Sequence, residues 1–183
     1  MAALLEDLLA YSRIERRALV QQEVELGSIV ASVIADCSRD TPEAELSIDV
    51  PTLQLNVDVE ALTLVLRNLV QNAFKFTRSR RPPRIAIVAR VRDDRVQILV
   101  RDNGIGFDMQ YHDQIFKLFH RLHRDGEFQG TGIGLALVRK ALERLGGNVR
   151  AESTLGEGAT FIVDLALPAQ TKPQHSGFAR SAT

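Results

Sequence analysis

The chain has 183 residues, 45% of them apolar and 25% charged, and its 23 basic and 23 acidic side chains balance. That length suits one good core with short appendages, and the even charge excludes a global pull toward nucleic acid or an anionic membrane. A single cysteine, Cys37, excludes an internal disulfide and a multi-cysteine metal site. No apolar run approaches the roughly 20 residues of a membrane helix, so we expect a soluble, cytoplasmic segment without membrane contact.

In chain order, residues 3–18 read as an amphipathic helix with Leu4, Leu5, Leu8, Leu9, Tyr11 and Ile14 on one stripe. Such a helix is marginal alone, so its stripe needs a partner: the following domain or another chain. A short strand at 24–26 and a helix at 28–39 follow, with Cys37 inside it. Pro42 breaks the chain, and 45–50 and 53–57 alternate like two strands. Asp58 is the expected N-cap of a long helix reaching Phe76. Pro82-Pro83 closes that region, and 84–92 and 95–101 form a hairpin across Asp93-Asp94. The arginine-rich stretch 78–95 reads as a solvated face. A glycine turn at 102–106 precedes a short helix at 109–118 and a polar stretch at 120–129. Residues 130–134 open an apolar helix that stops at Gly146-Gly147. Strands at 148–153 and 159–167 complete the core, and the small, polar tail beyond Pro168 is expected to be disordered. Strands and helices intermix without a βαβ repeat, which predicts an α/β two-layer sandwich with a mixed sheet.

Three constellations can carry chemistry. On the long helix, Asn68, Asn72 and Lys75 share one face beside the apolar stripe of Leu62, Leu66, Leu69, Val70 and Ala73. Magnesium is a hard cation usually held by one or two protein oxygens plus phosphates and water. Asn72 can supply such an oxygen, Lys75 a phosphate contact, and Asn68 can orient a water or the terminal phosphate. Asp102, at the end of an apolar strand, is followed by Gly104 and Gly106; its carboxylate can accept the exocyclic amine of adenine while the glycines let the backbone approach. The turn is also ordinary Asp-Asn-Gly chemistry. Gly130, Thr131, Gly132, Gly134 and Leu135 run into a helix start, where free amides favour phosphate. No lysine-serine or lysine-threonine pair follows these glycines, so this is not a P-loop.

Taken in order, these segments resemble the ATP-binding catalytic domain of sensor histidine kinases, within the superfamily shared with type II topoisomerases, mismatch-repair ATPases and heat-shock chaperones. The likeness covers roughly residues 24–167. Residues 68–77 match the asparagine box, 102–106 and 130–135 the two glycine boxes, and 116–119 the phenylalanine box. The resemblance implies a Bergerat-type sandwich in which Asn72 ligates magnesium, Asp102 binds adenine and residues 120–131 form an ATP lid. It also implies that Thr160 supports adenine beside Asp102. Residues 118–124 are similar to lids of phytochrome-like kinases.

The first helix resembles the end of the second helix of the family's dimerisation and phosphoacceptor domain. On this reading residues 1–20 are a remnant of that helix, 21–167 the catalytic domain and 168–183 a tail. The implied ligands are ATP and Mg2+. The implied partners are a phosphoacceptor-histidine domain and a response-regulator receiver domain, with a homodimer through the first helix as an option. None of His112, His120, His123 and His175 corresponds to the acceptor, so the γ-phosphate would pass to a histidine outside this chain. The competing readings are an anti-sigma-type serine kinase of the same superfamily and a nucleotide-binding pseudokinase.

Overall fold

A computed structural model describes residues 2–40, 43–120, 122 and 130–167. Its elements run α1 (Ala2–Arg16), β1 (Gln21–Glu25), α2 (Leu26–Cys37), β2 (Glu45–Asp49), β3 (Gln54–Asp58), α3 (Val59–Thr77), β4 (Arg84–Arg92), β5 (Arg95–Asp102), α4 (Gly134–Arg144), β6 (Asn148–Thr154) and β7 (Gly158–Ala166). The main sheet has the order β2-β4-β5-β7-β6, with β2 parallel to β4 and the other pairs antiparallel. Helices α2, α3 and α4 cover one face. The result is the expected two-layer sandwich with a mixed sheet.

Helix α3 is its spine. Leu62, Leu66 and Leu69 recur at helical spacing and are no more than 1% exposed, each contributing about 1.5–3 kcal/mol by burial. They meet Val96, Ile98 and Val100, the alternate residues of β5, which are fully buried. Asp58 caps α3, accepting the amide of Ala61 at 2.9 Å. The β4–β5 hairpin turns through Asp93-Asp94 with Arg92 opposite Arg95. At the end of α4, Gly147 N–H reaches the Leu142 carbonyl and Gly146 N–H the Glu143 carbonyl. These two bonds make a Schellman stop, with Gly146 left-handed at φ +70°.

Two local expectations change, and the partners of β2 and β3, which the sequence left open, are set by the fold. Helix α2 starts at Leu26 rather than 28, because the Glu25 carboxylate accepts the amides of Gly27 and Ser28 at 3.0 and 2.9 Å. Strands β2 and β3 do not pair with each other: β2 joins the edge of the main sheet, while β3 pairs antiparallel with β1 in a separate ribbon. Residues 109–118 hold a three-residue 3-10 turn, Met109–Tyr111, and further turns instead of one helix. That path buries Ile115 and Phe116, and lets His112 Nε2 accept the edge amide of Ala151 at 3.3 Å.

Helix α1 folds back onto the domain at its C-terminal end. Arg17 grips both oxygens of Asp58 at 2.5 and 2.6 Å, and the Val20 amide donates to the same carboxylate at 2.8 Å. Burial works against ionising this carboxyl, which is 1% exposed, but the two backbone amides and the guanidinium outweigh it and hold its pKa below the usual value. Arg144 bonds the Ile14 carbonyl, and Lys140 pairs with Glu15 at 3.2 Å. Leu4, Leu5, Leu8 and Leu9 remain between 37% and 61% exposed. No described helix is long and apolar enough to cross a membrane. The expected tail, 168–183, lies outside the described residues.

Candidate functional site

The asparagine face of α3 meets the start of α4. Asn68 donates its amide to the Leu64 carbonyl at 2.9 Å, which directs its Oδ1 the other way. A Cβ added to Gly134 would stand 2.6 Å from that oxygen, and one added to Gly130 would stand 2.8 Å from Lys75 Nζ. At either glycine a Cβ would push the amide oxygen or the ammonium from its place, so the two glycines keep these polar ends close to the loop. Asn72 is half-buried between Asn68 and Lys75 on the same face.

At the other end of α3, the 102–106 turn packs on the helix terminus. Ile105 N–H reaches the Phe76 carbonyl at 3.3 Å, and a Cβ on Gly104 would meet the same oxygen at 2.6 Å. Gly106 is left-handed at φ +62°, with Thr154 O only 2.1 Å from where a Cβ would lie. Asp102 faces the helix layer like Ile98 and Val100, and is 6% exposed. Burial pushes its carboxyl up to about 6, partly offset by the amides of Gly104 and Ala159. The Gly104 amide donates to its Oδ1 at 2.8 Å.

Helix α4 begins at Gly134 with no capping side chain, so its first-turn amides and positive dipole end are not claimed by a local cap. Thr131 Oγ1 accepts the Ile133 amide at 3.4 Å and donates to Asp7 of α1 at 2.5 Å. Gly132 accepts from Phe119 N–H at 3.0 Å, joining the phenylalanine box to this loop, and Leu135 is half-buried against the core. Most of the expected lid, with Arg121, His123 and Arg124, lies outside the described residues, as does His175.

Thr160 is not brought to Asp102. The β5–β7 register sets Ala159 opposite Asp102 and Thr160 opposite Arg101, so the pleat turns Thr160 to the other face of the sheet. The expectation of a threonine beside the carboxylate is corrected to the backbone amide of Ala159. Strand alternation counted back from the buried Phe161 carries that signal. Two further contacts had none. Arg80, in the stretch read as a solvated face, bonds the Gly104 and Gly156 carbonyls, and Asp7 reaches Thr131. Clefts of about 510 Å³ between α1, α3 and α4 and about 250 Å³ beside β3 lie elsewhere and include none of Asp102, Asn72 or Gly132.

Residues 57–169 match the model of the histidine kinase-, DNA gyrase B- and HSP90-like ATPase family. Cyanobacterial phytochrome A of Nostoc sp. strain PCC 7120 is 36% identical over 178 residues, covering 97% of this chain and 23% of the relative. The methanogenesis regulatory histidine kinase FilI of Methanothrix harundinacea is 32% identical over 170 residues, covering 92% of this chain and 19% of its own length. The chain thus spans about a fifth of these relatives. Among solved structures, full-length ShkA in complex with AMPPNP superposes with a TM-score of 0.79 at 27% identity, over 91% of this chain and 36% of that one. The histidine kinase ThkA in complex with the response regulator TrrA gives 0.75 at 22% identity, over 91% and 47%. With the fold, the order of the boxes and the family match in agreement, this chain belongs to the histidine kinase-, DNA gyrase B- and HSP90-like ATPases.

Proposed function

We propose that this chain is the nucleotide-binding, phosphoryl-donating part of a two-component sensor histidine kinase, passing the γ-phosphate of ATP to a histidine carried elsewhere. The observation that carries the reading is the glycine cradle, in which the polar ends of Asn68 and Lys75 stand against Gly134 and Gly130 so closely that a Cβ at either glycine would displace them. An ammonium, an amide oxygen and uncapped helix amides around one space suit a metal-bound triphosphate. In this reading Asp102 accepts the adenine amine, with Gly104 and Gly106 shaping the turn. Asn72 offers the oxygen ligand, Lys75 and the amides of residues 130–135 hold phosphate oxygens, and Asn68 orients the terminal phosphate. Among the described residues no three His, Cys, Asp or Glu side chains cluster as a metal cage. Magnesium, when bound, would neutralise phosphate charge through Asn72 and the nucleotide itself. Positioning and charge, rather than covalent chemistry by the protein, then carry the transfer.

The bare leucines of α1 support a dimeric helical bundle as its destination, with residues 1–20 as the end of a dimerisation helix, 21–167 as the catalytic domain and 168–183 as a tail. The ThkA complex with TrrA supports a receiver domain as the downstream partner. The test mixes this chain with magnesium, γ-labelled ATP and the phosphoacceptor domain of a related histidine kinase. Acid-labile, alkali-stable label on that domain is expected. Label on serine would favour the serine-kinase reading, and nucleotide binding without any transfer the pseudokinase one.

A further inference from the structure

Two carbonyls from separate loops converge on one guanidinium. Arg80, three residues beyond α3, donates from Nη2 to the Gly104 carbonyl at 3.0 Å and to the Gly156 carbonyl. Gly156 lies in the β6–β7 turn, and its own amide donates to the Ile105 carbonyl at 2.7 Å. The 102–106 turn and the 154–158 turn are thus stitched together, with Arg80 as the clasp. Gly104 is held at both ends, by Arg80 at its carbonyl and by Asp102 Oδ1 at its amide.

Space-filling does not call for an arginine here. Arg80 Nε is buried and has no hydrogen-bond partner among the described residues, a desolvation cost that an apolar side chain would avoid. What the guanidinium contributes is direction: it fixes the carbonyl on one side of the Gly104 Cα. The amide on the other side of that Cα, in the preceding peptide, bonds the Asp102 carboxylate and sets its rotation.

We propose that Arg80 is a positioning residue for purine selection, acting through Gly104 to hold Asp102 in the orientation that accepts an exocyclic amine. This rests on the reading of Asp102 as the adenine acceptor. ATP offers an amine at that position of the ring and GTP a carbonyl, so a carboxylate held by the Ala159 amide alone is less fixed and its preference between them falls. The Arg80 guanidinium spends its hydrogen bonds on the Gly104 and Gly156 carbonyls. Its effect therefore falls on the ratio of the two affinities rather than on phosphate binding, which belongs to Lys75 and the glycine loop.

The experiment titrates Mg-ATP and Mg-GTP against the unsubstituted chain, Arg80→Gln, Arg80→Lys and Asp102→Ala, with thermal unfolding of each. Arg80→Gln is expected to raise the ATP dissociation constant about ten-fold, the effect of one hydrogen bond to a charged group, while leaving GTP binding unchanged. Arg80→Lys keeps a cation able to bridge the two carbonyls and should restore part of the preference. A merely structural role would weaken both nucleotides together and leave their ratio intact, and that result overturns the proposal. If the unsubstituted chain binds ATP in an Asp102-dependent way and Arg80→Gln keeps the full ATP preference, Arg80 alone is refuted. If the unsubstituted chain binds no ATP, the reading of the site falls and this inference with it.

Discussion

Asp102 is held at a cost to the fold, and removing its charge should make the protein more stable while disabling the site. Its carboxyl titrates near 6 instead of the ordinary 3.8 because burial disfavours the charged form. At about 1.4 kcal/mol per tenfold, that difference amounts to roughly 3 kcal/mol of destabilisation when the group is ionised in the folded chain. A folded pKa raised above the unfolded one gives stability that is fully present below 3.8 and lost as pH rises through about 6. Asp102→Asn removes the charge but retains one acceptor for the two amides of Gly104 and Ala159, giving up about 1 kcal/mol. The net gain is about 2 kcal/mol at pH 8, or roughly 6 °C in unfolding midpoint for a domain of this size. At pH 4 the native carboxyl is itself protonated, so the gain should shrink toward zero. Thermal unfolding of both proteins from pH 4 to 8 measures this directly. A variant no more stable at pH 8, or equally stabilised at every pH, would refute the reasoning.

Asp58 should behave in the opposite way. Its pKa is lowered by the amides of Val20 and Ala61 and by Arg17 despite burial, so its stabilisation is present above 3.8 and lost as pH falls through its folded value. Asp58→Ala removes the cap of α3 and the anchor of α1 together. Urea unfolding should show a loss of about 2–4 kcal/mol at pH 7, narrowing in acid. Gly106→Ala forces a Cβ into a left-handed position 2.1 Å from the Thr154 carbonyl, so a midpoint lowered by at least several degrees, with weakened ATP binding, is expected in paired unfolding and titration experiments. Glutamate at both Leu5 and Leu8, which are 61% and 38% exposed, should abolish any dimer seen by sedimentation and leave ATP affinity per chain unaltered. Persistence of that dimer would place its interface elsewhere.

The features legible in the sequence were those fixed by local chemistry. Asp58 as a cap, the Asp93-Asp94 hairpin and the Gly146-Gly147 stop each depend on a few adjacent residues, and each stands where the letters put it. The asparagine face of α3 followed from helical spacing alone. Pairing of distant strands did not: nothing in residues 45–58 says that β2 joins β4 while β3 joins β1, because both partners are chosen by long-range packing. Helix α2 begins before residue 28 because Glu25, an uncommon capping residue, accepts the amides of Gly27 and Ser28. Thr160 was misassigned for a different reason. The motif gave the right strand, but only the register of β5 against β7 decides which residue faces Asp102. Arg80 was hidden among neighbouring arginines that are exposed, such as Arg78 and Arg81; composition cannot separate a clasp from a solvated face.

The central claim is that Asp102, Asn72 and the glycine loop serve one bound nucleotide. Calorimetric titration of ATP, with and without magnesium, into the unsubstituted chain, Asp102→Ala and Asn72→Ala tests it most directly. Measurable Mg-ATP binding is expected in the first, near-complete loss in the second, and in the third a weakened affinity that no longer responds to magnesium. Undiminished binding by Asp102→Ala, or a full magnesium response in Asn72→Ala, would contradict it.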